Sequence, residues 1–116
     1  MAFDPGMADQ MRDDLAALGA EPTRLTERKM FGGLCFQLSG NMICGVHKGG
    51  AMFRVGKPAE AEALAIPGAA PLSFTGRPMG GMVECDMDAF ADDDARLALT
   101  RLALANAAAL PPKEDA

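Results

Sequence analysis

The amino-acid sequence predicts a single α+β domain: an antiparallel sheet of about five strands, a helix at each end of the chain and a short helix inside it. Three observations carry this. The segments Leu34–Leu38 and Met42–Val46 alternate in polarity on either side of Ser39-Gly40-Asn41, the pattern of a hairpin with one buried face. Met7, Met11, Leu15 and Leu18 recur at spacings of four, four and three, which draws one apolar stripe along a helix. From Ala95 to Leu110 the chain is nearly all Ala and Leu, and Pro111-Pro112 stops it. Residues 1–116 fit one domain with one core, with a disordered tail expected from about residue 111.

The elements follow in order. Asp4-Pro5 opens the first helix, Asp4 as cap and Pro5 in the first turn, where a missing N–H costs nothing. Gly19 closes it, and Asp9, Arg12, Asp13 and Asp14 are expected to face solvent. Leu25–Met30 carries mixed charge on weak strand formers and reads as an edge strand, because charge discourages pairing with other chains. Met30 and Phe31 are expected in the core, with Gly32-Gly33 bending the chain into the hairpin. A two-residue loop at Ser39-Gly40 would set Phe36 opposite Ile43 and Cys35 opposite Cys44. His47-Lys48-Gly49-Gly50 turns into Ala51–Val55, after which Pro58–Ile66 reads as the short helix and Pro67-Gly68 as its end. Pro71–Phe74 is a brief apolar run, and Met79-Gly80-Gly81-Met82 leads into a last strand over 83–86. Asp92, Asp93 and Asp94 begin the C-terminal helix, whose Leu99, Leu102 and Ala109, widened by Leu97 and Leu104, make an apolar face broad enough to suggest a second copy of the chain as partner.

The formal charge of -5 argues against a broad, direct hold on nucleic acid, which needs a basic surface. The sequence shows no positively charged leader and no uninterrupted apolar run long enough for a membrane span, and its three cysteines suit reduced thiols, so a cytoplasmic location is expected.

Chemistry is thinly written. Cys35 and Cys44, if opposed across the hairpin, would make a redox-sensing pair, and a thiol sensor or small enzyme built on them is one function reading. With no C-x-x-C present, the plainer reading of Cys35, Cys44 and Cys85 is inert packing. His47 is the only histidine, and its place in a turn reads as simple exposure. Ser39 and Ser73 are the only serines, and neither lies in a nucleophile elbow. Arg28 and Lys29 beside Gly32-Gly33 form a candidate site for a small anionic ligand, although the glycines match neither phosphate-loop spacing. Nothing implies a catalytic residue, a metal or a cofactor. The remaining reading is a non-enzymatic module that binds another protein or itself.

Arg28-Lys29-Met30-Phe31-Gly32-Gly33, the run from Leu38 to Ile43, Met79-Gly80-Gly81-Met82-Val83 and the closing Leu110-Pro111-Pro112-Lys113 together resemble the N-terminal domain of the TfoX/Sxy family. The resemblance implies an antiparallel sheet flanked by helices, similar to the fold of secretion chaperones, and a non-enzymatic regulatory role. The best-known members regulate natural competence genes beside a cyclic-AMP-responsive activator. This chain is read as a stand-alone, single-domain relative.

Overall fold

The computed structural model describes residues 3–30, 32–72 and 80–113. Six antiparallel strands form one sheet in the order β1-β2-β3-β4-β6-β5: β1 is Leu25–Met30, β2 Gly33–Leu38, β3 Asn41–His47, β4 Gly50–Arg54, β5 Ala69–Pro71 and β6 Met82–Asp86. Helices α1 (Pro5–Ala17), α2 (Glu60–Leu64), α3 (Met87–Ala91) and α4 (Asp93–Ala109) complete the fold. One sheet face receives α1, α3 and α4 and holds the main core, including Leu34, Phe36, Ile43, Cys44, Val46, Phe53, Val83 and Leu99. The other face carries a smaller cluster of Cys35, Met52, Leu72 and Met82, against which Met30 and Met42 pack.

The N-terminal helix forms as its caps dictate. The Asp4 carboxylate accepts the Gly6 N–H at 2.8 Å, and Gly19 supplies the left-handed residue beyond the last turn, with φ 90°. Met7, Met11 and Leu15 are buried as the stripe requires. Full burial of Met11, Leu15 and Leu99 contributes roughly 1.5–3 kcal/mol each.

Several expectations are corrected. Asp14, assigned to solvent, is only 4% exposed. The buried stripe of α4 is Ala95, Arg96, Leu99, Thr100, Ala103 and Ala107, so Arg96 and Thr100 lie inside it while Leu97, Leu102 and Leu104 are half-buried and Ala109 is exposed. The two errors have one cause, because Arg96 and Asp14 bury each other. Arg96 Nε donates to Asp14 Oδ2 at 2.5 Å, and its Nη1 donates to Asp93 Oδ1 at 2.9 Å and to the Phe90 carbonyl at 3.1 Å. Gln10 Nε2 donates to Asp14 Oδ1 at 3.0 Å, and the guanidinium lies 5.6 Å from the Phe90 ring centre. One cation thus fastens α1, α3 and α4 together.

The sheet has six strands where about five were expected. The additional one, β5, has only three residues, Ala-Ala-Pro, at the far edge. The internal helix is shorter than Pro58–Ile66, being a 3-10 turn over Lys57–Ala59 followed by α2. Between β6 and α4 stands the unexpected α3, with Asp86 as its cap, its carboxylate accepting the Ala89 N–H at 2.8 Å. Phe31, Ser73, Phe74 and Met79, each named in the sequence reading, lie outside the described residues.

Past α4 the chain runs back against the β2–β3 turn. Asn41 Nδ2 donates to the Pro111 carbonyl at 2.9 Å, and the Lys113 N–H donates to the Ser39 carbonyl at 2.8 Å. These bonds reach into the segment read as tail; residues 114–116 lie outside the described set.

Candidate functional site

The β1–β2 hairpin holds most of the residues singled out by sequence. Its register runs from Leu25 opposite Leu38 to Met30 opposite Gly33. Gly32 has φ 74°, a conformation that glycine adopts without steric cost. Gly33 is required for a different reason: a Cβ there would lie 2.2 Å from the Val46 carbonyl oxygen. Both glycines are architectural in these positions. Arg28 and Lys29 are exposed, but successive strand residues project to opposite faces, Arg28 opposite Cys35 and Lys29 opposite Leu34. The hairpin therefore brings the four proposed anion-site residues near one another in sequence without converging the two cations.

The Cys35–Cys44 pairing is corrected by the β2–β3 register. Near the turn the expectation holds: Ser39 and Gly40 form the two-residue loop, with φ 51° and 83°, and Leu38 faces Asn41. A bulge between Phe36 and Gln37 then shifts the partners, so that Phe36 faces Cys44 and Cys35 faces Gly45. The inserted residue is Ile43, which the bulge keeps in the main core beside Cys44. Cys35 belongs to the cluster on the opposite face, where its Sγ and the Met52 methyl close over Gly45. All three cysteines are free and buried. Burial pushes each thiol above its ordinary range, Cys44 furthest, while Cys85, near the Asp86 charge as well, is pushed up to about 11. Thiols so placed stay protonated at neutral pH, and the thiolate is the reactive form.

His47 is less exposed than its turn position suggested. Its Nδ1 accepts the Gly49 N–H at 3.0 Å, and its Nε2, buried and without a hydrogen-bond partner among the described residues, lies 3.9 Å from Glu84 Oε1. Among the described residues no group of three or more His, Cys, Asp and Glu side chains is placed to hold a metal ion. No described helix is long and apolar enough to cross a membrane.

The outer edge of β1 is the most open feature of the site. The Ser39 N–H donates to the Arg24 carbonyl at 2.9 Å, which makes Arg24 and Ser39 a hydrogen-bonded pair of the antiparallel ladder. Bonded and non-bonded pairs alternate, so Thr26, Arg28 and Met30 also bond inward to β2, while the backbone groups of Leu25, Glu27 and Lys29 point outward. The Leu25 N–H is taken by the Pro22 carbonyl. The N–H groups of Glu27 and Lys29 and the carbonyls of all three residues remain, and no described element pairs with them. Above this row, Arg12 of α1 reaches Glu27 with two bonds, Nε to Oε2 at 2.6 Å and Nη2 to Oε1 at 2.8 Å. The same guanidinium lies 5.9 Å from the Phe36 ring centre. The bond from Arg12 holds the Glu27 carboxyl below its ordinary range.

Sequence reading missed the Asp14–Arg96 pair and the approach of His47 to Glu84. A signal existed for the first. Asp14 falls three residues after Met11, and Arg96 three before Leu99, both on stripe positions. The second depends on the β3–β4–β6 register, which short-range pattern does not carry.

Comparison with known proteins adds one finding. The family model described as the TfoX N-terminal domain matches residues 13–107. No curated protein and no solved structure matches the chain.

Proposed function

The chain belongs to the TfoX N-terminal domain family, a non-catalytic regulatory domain, and from that premise we propose that it regulates by docking another protein along the outer edge of β1. The single observation that carries this is the outward row of backbone groups left unpaired among the described residues, the N–H groups of Glu27 and Lys29 and the carbonyls of Leu25, Glu27 and Lys29, the geometry that accepts an additional strand. An apolar docking face competes poorly with it. Among the described residues Met87 is the only large apolar side chain classed as exposed. The half-buried Leu97, Leu102 and Leu104 are what α4 offers for the self-association its composition suggested. The regulatory setting we assign is transcription, as in the competence regulators of the family. The three free cysteines favour a reducing cytoplasm as its location.

The experiment is a parallel capture. A Lys29→Ala variant, which removes only the cation, and a Lys29→Pro variant, which in addition deletes one outward N–H while sparing the residues that bond inward to β2, are matched for thermal stability and used beside wild type to capture partners from the native lysate. Partners retained by wild type and Lys29→Ala and lost by the proline variant support edge docking. A proline variant of equal stability that retains the same partners rejects it.

A further inference from the structure

Resting on this edge reading, we infer that the strand added to β1 is an extended acidic segment of another protein, with two consecutive carboxylates set against Arg28 and Lys29. The charge of the chain and the charge of the edge are opposite in sign. The chain carries a formal charge of -5, yet its edge is basic. Arg24, Arg28 and Lys29 are exposed there, and the one acid of β1, Glu27, is already bound by Arg12. Among the described residues no carboxylate lies within ion-pair distance of Arg28 or Lys29. Many of the acids lie on elements later in the chain, α2 (Glu60, Glu62), β6 (Glu84, Asp86), α3 (Asp88) and the start of α4 (Asp92, Asp93, Asp94), and of the exposed acids earlier in the chain Asp9 is held by Arg12, while Asp13 and Glu21 stand outside β1 itself. A basic strip on an acidic protein attracts anionic partners and repels more of its own kind.

The register specifies the occupant further. An incoming antiparallel strand must place its hydrogen-bonded residues opposite Glu27 and Lys29. The residue facing Lys29 and the next one, facing Arg28, then project to opposite sheet faces and meet one cation each. The position facing Glu27, whose charge is satisfied, calls for a neutral residue, and those facing Thr26 and Leu25 for β-branched or apolar ones.

A second copy of β1 does not fit. Outward residues pair only with outward residues, so of the two registers of longest symmetric overlap one sets Arg28 against its own counterpart, and the other, centred on Glu27, sets Arg28 against Thr26 and Lys29 against Leu25 and gives neither cation an anion. Like charges directly opposed disfavour pairing. Nucleic acid would meet the same cations, but its phosphates only accept hydrogen bonds and so leave the outward carbonyls of the row unsatisfied.

The probe is a capped, fluorescently labelled hexapeptide, Val-Glu-Glu-Val-Thr-Val, titrated by anisotropy against the intact chain, with a Lys-for-Glu peptide and a single-stranded oligonucleotide of equal charge as comparisons. Backbone amide hydrogen exchange is followed by NMR. The expected result is binding of the acidic peptide, slowed exchange at the Glu27 and Lys29 amides, and an affinity loss of at least about tenfold in the Arg28→Glu/Lys29→Glu double variant. That variant should in turn prefer the Lys-containing peptide. Equal binding of both peptides to wild type overturns the acidic assignment and leaves edge docking standing. Binding with unchanged exchange at Glu27 and Lys29 overturns strand addition as the mode. Equal competition by the oligonucleotide overturns a peptide as occupant. No binding at millimolar peptide overturns the inference, and the Lys29→Pro capture judges the edge reading separately.

Discussion

Replacing Asp14 by Ala should destabilise the domain more than any surface substitution, although the sequence places Asp14 among solvent-facing charges. Asp14 and Arg96 are 4% and 5% exposed, so removing the anion leaves a guanidinium with little access to water. Breaking a buried pair from one side costs about 3–5 kcal/mol. Arg96 keeps Asp93, whose side chain is 79% exposed, and the Phe90 carbonyl, which points to the lower end, about 3 kcal/mol. Arg96→Leu strands Asp14 with only Gln10 and should cost about as much or slightly more. The double variant Asp14→Leu/Arg96→Leu removes both charges together and leaves mainly the Phe90 carbonyl unsatisfied, a loss of about 1 kcal/mol. The two changes are therefore strongly non-additive.

Urea unfolding at neutral pH measures this directly. With a slope of about 2 kcal/mol per molar, the Asp14→Ala midpoint should fall by roughly 1.5 M. The double variant should unfold near the wild-type midpoint, within about 0.5 M. If Asp14→Ala costs less than about 1 kcal/mol with an unchanged slope, or if the single costs simply add, the pair is not the fastening between α1 and α4 described above.

Gly33→Ala should cost about 1–3 kcal/mol or more by thermal unfolding, because its Cβ would meet the Val46 carbonyl at 2.2 Å, whereas Gly49→Ala, with His47 Cε1 at 3.6 Å, should be nearly neutral. Asp4→Ala should remove about 1 kcal/mol by deleting the cap of α1. Glu27→Gln should cost about 0.5 kcal/mol, since the pair with Arg12 is half-exposed. Because the folded carboxyl titrates below its unfolded value of 4.5, that contribution is full above pH 4.5 and disappears as pH falls through the lowered folded value; a wild-type–variant difference that persists unchanged into stronger acid contradicts the assignment. Alkylation at neutral pH should leave Cys35, Cys44 and Cys85 unmodified until urea unfolds the chain, and rapid native labelling of any of them would contradict their burial and raised thiol pKa values.

What the sequence made legible, and what it hid, follows from the range of the interactions involved. The cap at Asp4, the turn at Ser39-Gly40 and the charged edge of β1 are set by residues within a few positions, and each is found where local pattern placed it. The bulge between Phe36 and Gln37 is different. It lets two consecutive residues, Ile43 and Cys44, both reach the helix-covered face, a gain decided by packing against α4 and invisible to strict alternation. The same limit hid β5, whose Ala-Ala-Pro has no strand preference of its own and is ordered by pairing with β6. In the candidate site, Arg28 and Lys29 were visible as cations on an expected edge strand, whose alternation already sets neighbouring side chains on opposite faces; what local pattern did not carry was the bond from Arg12 of α1 to Glu27 between the outward groups.

The contact between Arg12 and Glu27 couples the helix layer to the outer edge of β1. Taken alone it is a half-exposed ion pair worth little in stability. Its larger consequence is for the charge of the edge. Were Glu27 free, β1 would present an acid between its outward groups and offset one of the two neighbouring cations. Bound by Arg12 of α1, whose guanidinium also pairs with Asp9, Glu27 has its carboxylate tied to the helix side while its N–H and C=O stay open outward. Mixed charge on an edge strand ordinarily protects it from every other strand. Here the helix layer removes one sign from the mixture, so the protection holds against a second copy of the same edge and is relaxed for a strand bearing the complementary charge. An edge that disfavours itself and suits an acidic strand has the selectivity that the proposed docking role requires.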